Sequence, residues 1–252
     1  MIENNALKRK LASGDATHGL WVTLESPTIS EIGVALGFDW VVIDAEHGHL
    51  DLKEVVEHLR ATERSSTTSL VRISEIQIGL IKRVLDIGAA GIVVPQVTGP
   101  EDVELAVRYA KYPPWGLRGV GGERSTLWGL ELKETTTRAN AETMVIPLIE
   151  NMQASENIDA ILEVKGIDAI FFGPADFSAS AGHLGEWEGP GIAERILAIK
   201  DKANAKGLPV GVMTTSIDDA HMRREQGFRM LGLGADTGFL IRAAREALDS
   251  LR

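Results

Sequence analysis

The 252-residue chain is 44% apolar and 25% charged, an ordinary globular balance that excludes a disordered polypeptide and suffices to bury one full core. Its formal net charge of -10 speaks against a nucleic-acid surface, which needs clustered Lys and Arg, and the absence of cysteine excludes disulfides and thiolate metal sites. No apolar stretch approaches the ~20 residues of a membrane span, and Met1-Ile2-Glu3-Asn4-Asn5 lacks the basic-then-apolar order of a signal peptide; the cytoplasm is the expected location.

Along the chain, short runs rich in Val, Ile and Leu alternate with segments of helical period. The runs predict strands over 18–24, 40–46, 69–73, 91–97, 144–150, 167–172, 208–214 and 228–233. Near-continuous apolarity, as in Trp40-Val41-Val42-Ile43, is what a parallel strand covered on both faces requires. Helices are expected over 28–37, 154–165, 190–206, 217–227 and 238–251, and on the apolar faces formed by Leu52, Val55, Val56 and Leu59, by Ile76, Leu80, Ile81, Val84 and Leu85, and by Val103, Ala106, Val107 and Ala110. Asp51 is placed to cap the first of these three. Strand and helix alternating eight times predict an α/β fold, a closed parallel (β/α)8 TIM barrel occupying residues 1–252 as one domain, with an open doubly wound sheet as the alternative. The connection from Tyr112 to about Thr143 shows no clean strand, opens Pro113-Pro114-Trp115-Gly116 and is rich in glycine. A stretch of that length is expected to be a functional lid, an interface segment or disordered, and its glycines suggest a mobile or tightly folded loop.

Barrel chemistry sits at the C-terminal strand ends, so the residues there are the candidates. The second predicted strand runs into Asp44-Ala45-Glu46-His47-Gly48-His49, the third ends at Arg72, the fifth at Glu150-Asn151, and the sixth at Gly173-Pro174-Ala175-Asp176. Glu150 and Asp176, two carboxylates from adjacent strand ends, suit a hard cation such as Mg²⁺, Mn²⁺ or Co²⁺; the alternatives are ordinary caps and salt bridges, or a glycosidase-like acid/base pair. His47, beside Asp44 and Glu46, has the setting of a general base, whereas His18, His58, His183 and His221 look like packing or surface histidines. Arg72 either stabilises an oxyanion at the barrel mouth or forms an interior salt bridge. Gly173 allows backbone N–H groups near Ala175 to approach an anion. Gly232-Leu233-Gly234 is only weakly similar to a phosphate loop, and the following Asp236 opposes an anion there.

In this order and spacing, Gly19-Leu20-Trp21, Ile43-Asp44-Ala45-Glu46-His47, Val71-Arg72, Leu85-Asp86-Ile87-Gly88, Tyr112-Pro113-Pro114, Gly119-Val120-Gly121, Ile149-Glu150 and Phe172-Gly173-Pro174-Ala175-Asp176-Phe177-Ser178 resemble the HpcH/HpaI aldolase family, metal-dependent class II pyruvate aldolases, over essentially the whole chain. The resemblance implies Glu150 and Asp176 as ligands of a divalent metal, His47 as general base with Asp86 as the acid that orients it, and Arg72 as the group that stabilises a pyruvate enolate. It also implies substrate contacts from Trp21, Asp44, Gly173, Ala175 and Asp176, with Asp44 and Glu46 at the entrance. Family members form homo-oligomers, typically hexamers built as trimers of dimers with exchanged C-terminal helices, a role that the helix carrying Leu240, Ala244 and Leu248 would fill. Two departures stand out. Leu148 occupies a position where relatives carry Gln, and Gly122-Glu123-Arg124-Ser125-Thr126 differs from the family pattern in the long loop.

The implied reaction is reversible cleavage of a 4-hydroxy-2-oxo acid into pyruvate, or a related 2-oxo acid, and an aldehyde. The metal chelates the 2-oxo acid, His47 takes the C4 hydroxyl proton directly or through water, and Arg72 steadies the enolate left when the C3–C4 bond breaks. No Schiff-base lysine and no organic cofactor are expected, since Lys53, Lys82 and Lys111 fall on predicted helices. The partners expected are small molecules, not nucleic acid or membrane. A citrate-lyase-like acyl-CoA lyase on the same fold would need a basic patch near the rim, which the sequence lacks; a catalytically silent binding barrel would not need five candidate functional positions intact.

Overall fold

A computed structural model describes residues 5–252; Met1 to Asn4, on which the signal-peptide expectation rests, lie outside the described residues. Eight parallel strands close on themselves in sequence order: β1 (Thr17–Val22), β2 (Trp40–Asp44), β3 (Thr68–Arg72), β4 (Gly91–Val94), β5 (Met144–Ile149), β6 (Ile170–Phe172), β7 (Val210–Met213) and β8 (Met230–Ala235), with β8 pairing back onto β1. All eight fall within or against the predicted runs, and closure excludes the open sheet. The helices that return the chain are α2 (Thr28–Leu36), α3 (Leu52–Ala61), α4 (Ile78–Asp86), α5 (Pro100–Ala110), α6 (Leu132–Glu142), α7 (Met152–Glu156), α8 (Ile158–Ile161), α9 (Pro174–Ser180), α10 (Ile192–Ala205), α11 (Ile217–Glu225) and α12 (Asp236–Asp249), after a leading α1 (Ala6–Ala12). Among the described residues no helix is long and apolar enough to cross a membrane.

Two apolar shells hold the barrel. The outer one lies between strands and helices and includes Ile43, Val55, Leu59, Val71, Ile81, Val84, Leu85 and Ile92. It uses the helical stripes read from sequence, and Asp51 does cap α3, with Glu54 reaching back to its N–H at 3.2 Å. The inner shell fills the barrel with Trp40, Val42, Leu70, Met144, Ile146 and Phe171, and is closed from below by Leu7 and Leu11 of α1. No periodicity in the sequence predicts α1, whose start is fixed by the Asn5 side chain accepting Lys8 N–H at 3.1 Å.

Two expectations change. The helix expected over 154–165 is broken at Asn157 into α7 and α8. The 112–143 connection is tightly folded and ends in α6. Because it joins the end of α5 to the start of β5, it lies at the N-terminal face and is no lid over the strand C-termini. Its Arg124 bonds Ile87 O at 2.9 Å and lies 2.9 Å from Glu63, filling the space above Gly88, where a Cβ would meet the guanidinium at 2.4 Å.

Gly19 on β1 is required by close packing. A Cβ there would stand 2.1 Å from the ring of Trp40, which is fully buried and donates its indole N–H to Thr17 Oγ1 at 3.1 Å. Gly19→Ala is expected to destabilise the fold by about 1–3 kcal/mol through displacement of that ring, measured as a lower urea midpoint at unchanged slope.

Candidate active site

The C-terminal mouth is organised by one pair of residues. Asp44 ends β2, Arg72 ends β3, and the parallel register sets them side by side; both are buried. Arg72 Nε donates to Asp44 Oδ1 at 2.9 Å and Nη2 to Oδ2, while Nη1 lies 2.9 Å from Glu46 Oε2. Trp21 donates its indole N–H to Asp44 Oδ2 at 3.2 Å and lies against the guanidinium, with Cζ 5.2 Å from the ring centroid. Asp44 Oδ1 also accepts the N–H groups of Glu46 and His47 at 3.1 and 3.2 Å. One carboxylate thus holds the arginine and the loop that carries the histidine. Arg72 is both the interior salt bridge and a residue of the mouth.

Above this pair lies a cavity of about 220 Å³ whose lining includes Trp21, His47, Arg72, Glu150, Gly173, Ala175 and Asp176. Larger hollows elsewhere lack this convergence: one of about 390 Å³ is lined by the 62–69 hydroxyls and Arg124, another of about 580 Å³ by Lys8, Lys111 and Lys165. Glu150 follows β5 and Gly173 follows β6, adjacent strands whose register pairs Ile149 with Phe172. A Cβ at Gly173 would lie 3.0 Å from Glu150 Oε2 and 3.8 Å from Asp176 Oδ2, so both oxygens face the space that the glycine leaves open. Glu150 Oε1 is occupied by the Gln96 N–H at 2.6 Å.

This donor set fits a hard divalent cation. Two carboxylates converge, and among the described residues no group of three or more His, Asp or Glu builds a full protein cage; Mg²⁺-type ions bind through one or two carboxylates and keep their remaining positions for water and substrate. Burial, with Glu46 and Asp176 nearby, pushes the Glu150 carboxyl up to about 7 against the Gln96 N–H and Arg72. Burial likewise raises Glu46, against the pull of Arg72 and His47. Two raised carboxyls beside a third are an environment that a bound cation relieves.

Two of the predicted site residues lie away from the cavity lining of this chain. Asp86 does not reach His47 within the chain. It ends α4, a helix that returns from the strand C-termini to the opposite face, and it pairs there with buried Arg118, whose Nη2 lies 2.8 Å from Oδ1 and whose guanidinium stacks on Tyr112 at 4.5 Å. Asp44 does not line the cavity: it is 1% exposed and spends its oxygens on Arg72, Trp21 and the loop N–H groups, acting from beneath the site. Asp236 likewise serves the scaffold, accepting the N–H groups of Thr23 and Leu24 at 3.0 and 2.9 Å.

Sequence reasoning missed Gln96, Trp187 and Met213. Gln96 adopts a left-handed φ of 54° and links Glu150, through its N–H, to Glu46, through Nε2 at 3.1 Å. Extending the fourth strand to 97 hid it, although Pro95 before it marks the strand's end. Trp187 and Met213 line the cavity and are apolar, so a search for polar strand ends passes over them.

A sequence profile of the family described as HpcH/HpaI aldolase/citrate lyase matches residues 17–243. The chain is 33% identical over 249 residues to a 5-keto-4-deoxy-D-glucarate aldolase of Escherichia coli, covering 98% of this chain and 97% of the relative. It is 35% identical over 247 residues to a hydroxypyruvate/pyruvate aldolase of Pseudomonas aeruginosa, covering 96% and 91%. The crystal structure of an HpcH/HpaI aldolase/citrate lyase family protein from Burkholderia cenocepacia superposes with a TM-score of 0.94 at 33% identity, covering 99% of this chain and all of that one.

Asp44→Asn removes the principal counter-charge of buried Arg72 and is expected to cost about 3 kcal/mol of stability, read by urea unfolding. A loss below ~1 kcal/mol would mean that Glu46 alone balances the arginine.

Proposed function

The chain belongs to the HpcH/HpaI aldolase/citrate lyase family and is a carbon–carbon lyase of the aldolase kind, and from that premise we propose that the C-terminal cavity is its active site, cleaving 4-hydroxy-2-oxo acids reversibly to a pyruvate-type 2-oxo acid and an aldehyde. The observation that carries this reading is the convergence of Glu150 Oε2 and Asp176 Oδ2 on the space beside Gly173, in one cavity with Arg72 and His47.

Glu150 and Asp176 would hold a divalent cation, Mg²⁺, Mn²⁺ or Co²⁺, which when bound supplies Lewis-acid polarisation of the 2-oxo group. Arg72, fixed by Asp44 and Glu46, presents positive charge where enolate charge develops. The N–H groups of Ala175 and Asp176, in the first turn of α9 where no helical acceptor precedes them, bind the substrate carboxylate. His47 is exposed at the cavity edge and takes the C4 hydroxyl proton as the C3–C4 bond breaks. The lining contains no lysine, which supports enolate rather than Schiff-base chemistry. The same reading carries a cytoplasmic homo-oligomer, a hexamer built as a trimer of dimers. Its support is α12, where Leu240, Ile241 and Leu248 are 64%, 55% and 55% exposed and offer an apolar face for exchange between subunits.

EDTA is expected to abolish aldol cleavage, with recovery on adding Mg²⁺, Mn²⁺ or Co²⁺. Glu150→Gln and Asp176→Asn should each lower kcat/KM by about a hundredfold or more and lose Mn²⁺ binding by calorimetry. Full turnover after rigorous chelation, or borohydride trapping of pyruvate on the protein, contradicts the assignment. Since a cation requires the carboxylate form of Glu150, protons compete with it as pH falls through about 7; Mn²⁺ should bind about tenfold more weakly at pH 6 than at pH 8. Ile241→Glu places a charge on the exposed face of α12 and should reduce the mass measured by light scattering below that of the parent oligomer.

A further inference from the structure

The cavity is chemically two-sided. Arg72, Glu150 and Asp176 occupy the side built by β3, β5 and the start of α9. Opposite them the walls are Met213 at the end of β7, Ala235 at the end of β8 and Trp187 from the segment after α9, over a floor of Leu148 and Phe171. No carboxylate, amide, hydroxyl or guanidinium lines that half; the polar groups bordering it are the His47 imidazole at the cavity edge and the Trp21 indole N–H, which is spent on Asp44.

Trp187 is held in place from both sides. Buried Ser178 donates its hydroxyl to Trp187 O at 3.1 Å and accepts Gly189 N–H at 2.9 Å. Next in sequence, Glu188 is gripped through both oxygens by Arg223 Nη2 at 2.7 and 2.8 Å; that arginine is itself buried and fixed by Asp219 at 2.9 Å. A surface loop so pinned presents its indole as a fixed wall. Order of this kind is costly in chain entropy and serves a shape requirement.

We propose that Trp187, Met213 and Leu148 form an apolar specificity subsite that receives the part of the substrate beyond the 2-oxo acid head, selecting short alkyl or aryl tails over hydroxylated or carboxylated ones. A hydroxyl or carboxylate placed there loses water and gains no partner, whereas an alkyl tail gains burial. The volume of about 220 Å³, below the range of drug-sized ligand sites, favours a short tail. The inference rests on the aldolase reading, which fixes the head on the charged side.

The test separates the two claims. With Mn²⁺ present, 2-oxopentanoate and 2-oxoglutarate share a five-carbon chain and a 2-oxo acid head and differ in the tail; their binding is followed by calorimetry and tryptophan fluorescence. The apolar-tailed acid should bind at least about tenfold tighter, and butanal should exceed glyceraldehyde in kcat/KM for addition to pyruvate. Leu148→Gln and Trp187→Ala should each narrow the binding ratio to below about threefold. The second replaces a partly exposed side chain and leaves the barrel interior intact, so a folding failure of the first does not decide the matter. Equal or tighter binding of 2-oxoglutarate to the parent protein, or an unchanged ratio in a folded Trp187→Ala, overturns the apolar subsite while leaving the aldolase reading standing. Failure of both acids to bind and of every aldehyde to react overturns both.

Discussion

The mouth of this barrel depends on the buried ion pair between Asp44 and Arg72. Removing two charges from water costs several kcal/mol per ion, and the Coulombic attraction offsets it only where geometry is good and the remaining lone pairs are met. Here the register of β2 and β3 places the two residues side by side, the contact is two-pronged, and the carboxylate's other capacity goes to Trp21 and the N–H groups of Glu46 and His47. The satisfied network does more than balance a charge. It fixes the guanidinium toward the cavity and sets the starting direction of the loop bearing His47, so one carboxylate that never touches the cavity positions two groups that do.

Around that pair the charges do not cancel. Asp44, Glu46, Glu150 and Asp176 surround one arginine, and burial already drives Glu46 and Glu150 toward protonation. Gln96, in a left-handed conformation rarely adopted outside glycine, donates to both of these acids; the strained backbone is the means by which a single residue reaches two carboxylates from different strands. An excess of negative charge in a low-dielectric mouth repels an anionic substrate, and a divalent cation held by the Glu150 and Asp176 oxygens that face the cavity would reverse the sign locally. A chain of net charge -10 can therefore handle a 2-oxo acid without a basic patch. The apolar half opposite, walled by Trp187, Met213 and Ala235 over Leu148 and Phe171, needs no such compensation.

Much of this was legible in the sequence. Strands buried on both faces announce themselves by unbroken apolar runs, and the rule that chemistry gathers at strand C-termini picked out His47, Arg72, Glu150 and Asp176, all of which line one cavity. What was not legible has two physical causes. The first is that propensity marks long periodic helices better than short ones: α1 and α9 have seven residues each, too few for a period to declare itself, and they exist because Leu7 and Leu11 plug the barrel and because Pro174 starts a turn after β6. The second is that orientation is a property of neighbours. Nothing in Leu85-Asp86-Ile87-Gly88 says that Asp86 faces Arg118 rather than His47; that follows from α4 running back to the opposite face.

The same point explains why a sequence fingerprint mixes two kinds of residue. Asp86 and Gly88, with Tyr112 and Gly121, belong to the motifs by which the family resemblance is recognised. Yet they pack together at the N-terminal face, where Tyr112 stacks on Arg118, Arg118 pairs with Asp86, and Gly88 leaves room for Arg124. An arginine buried with only one carboxylate and one aromatic ring is as exacting a requirement as any at the mouth, and two of its nitrogens, Nε and Nη1, have no hydrogen-bond partner in the described chain. Substituting Asp86 would leave that charge buried and unpaired, so a loss of activity from such a change follows from the scaffold as readily as from the chemistry. The direction of each helix relative to its strand tells the two apart: His47, Glu150 and Asp176 follow strand C-termini and line the cavity, whereas Asp86, at the C-terminus of α4, meets Arg118 at the opposite face.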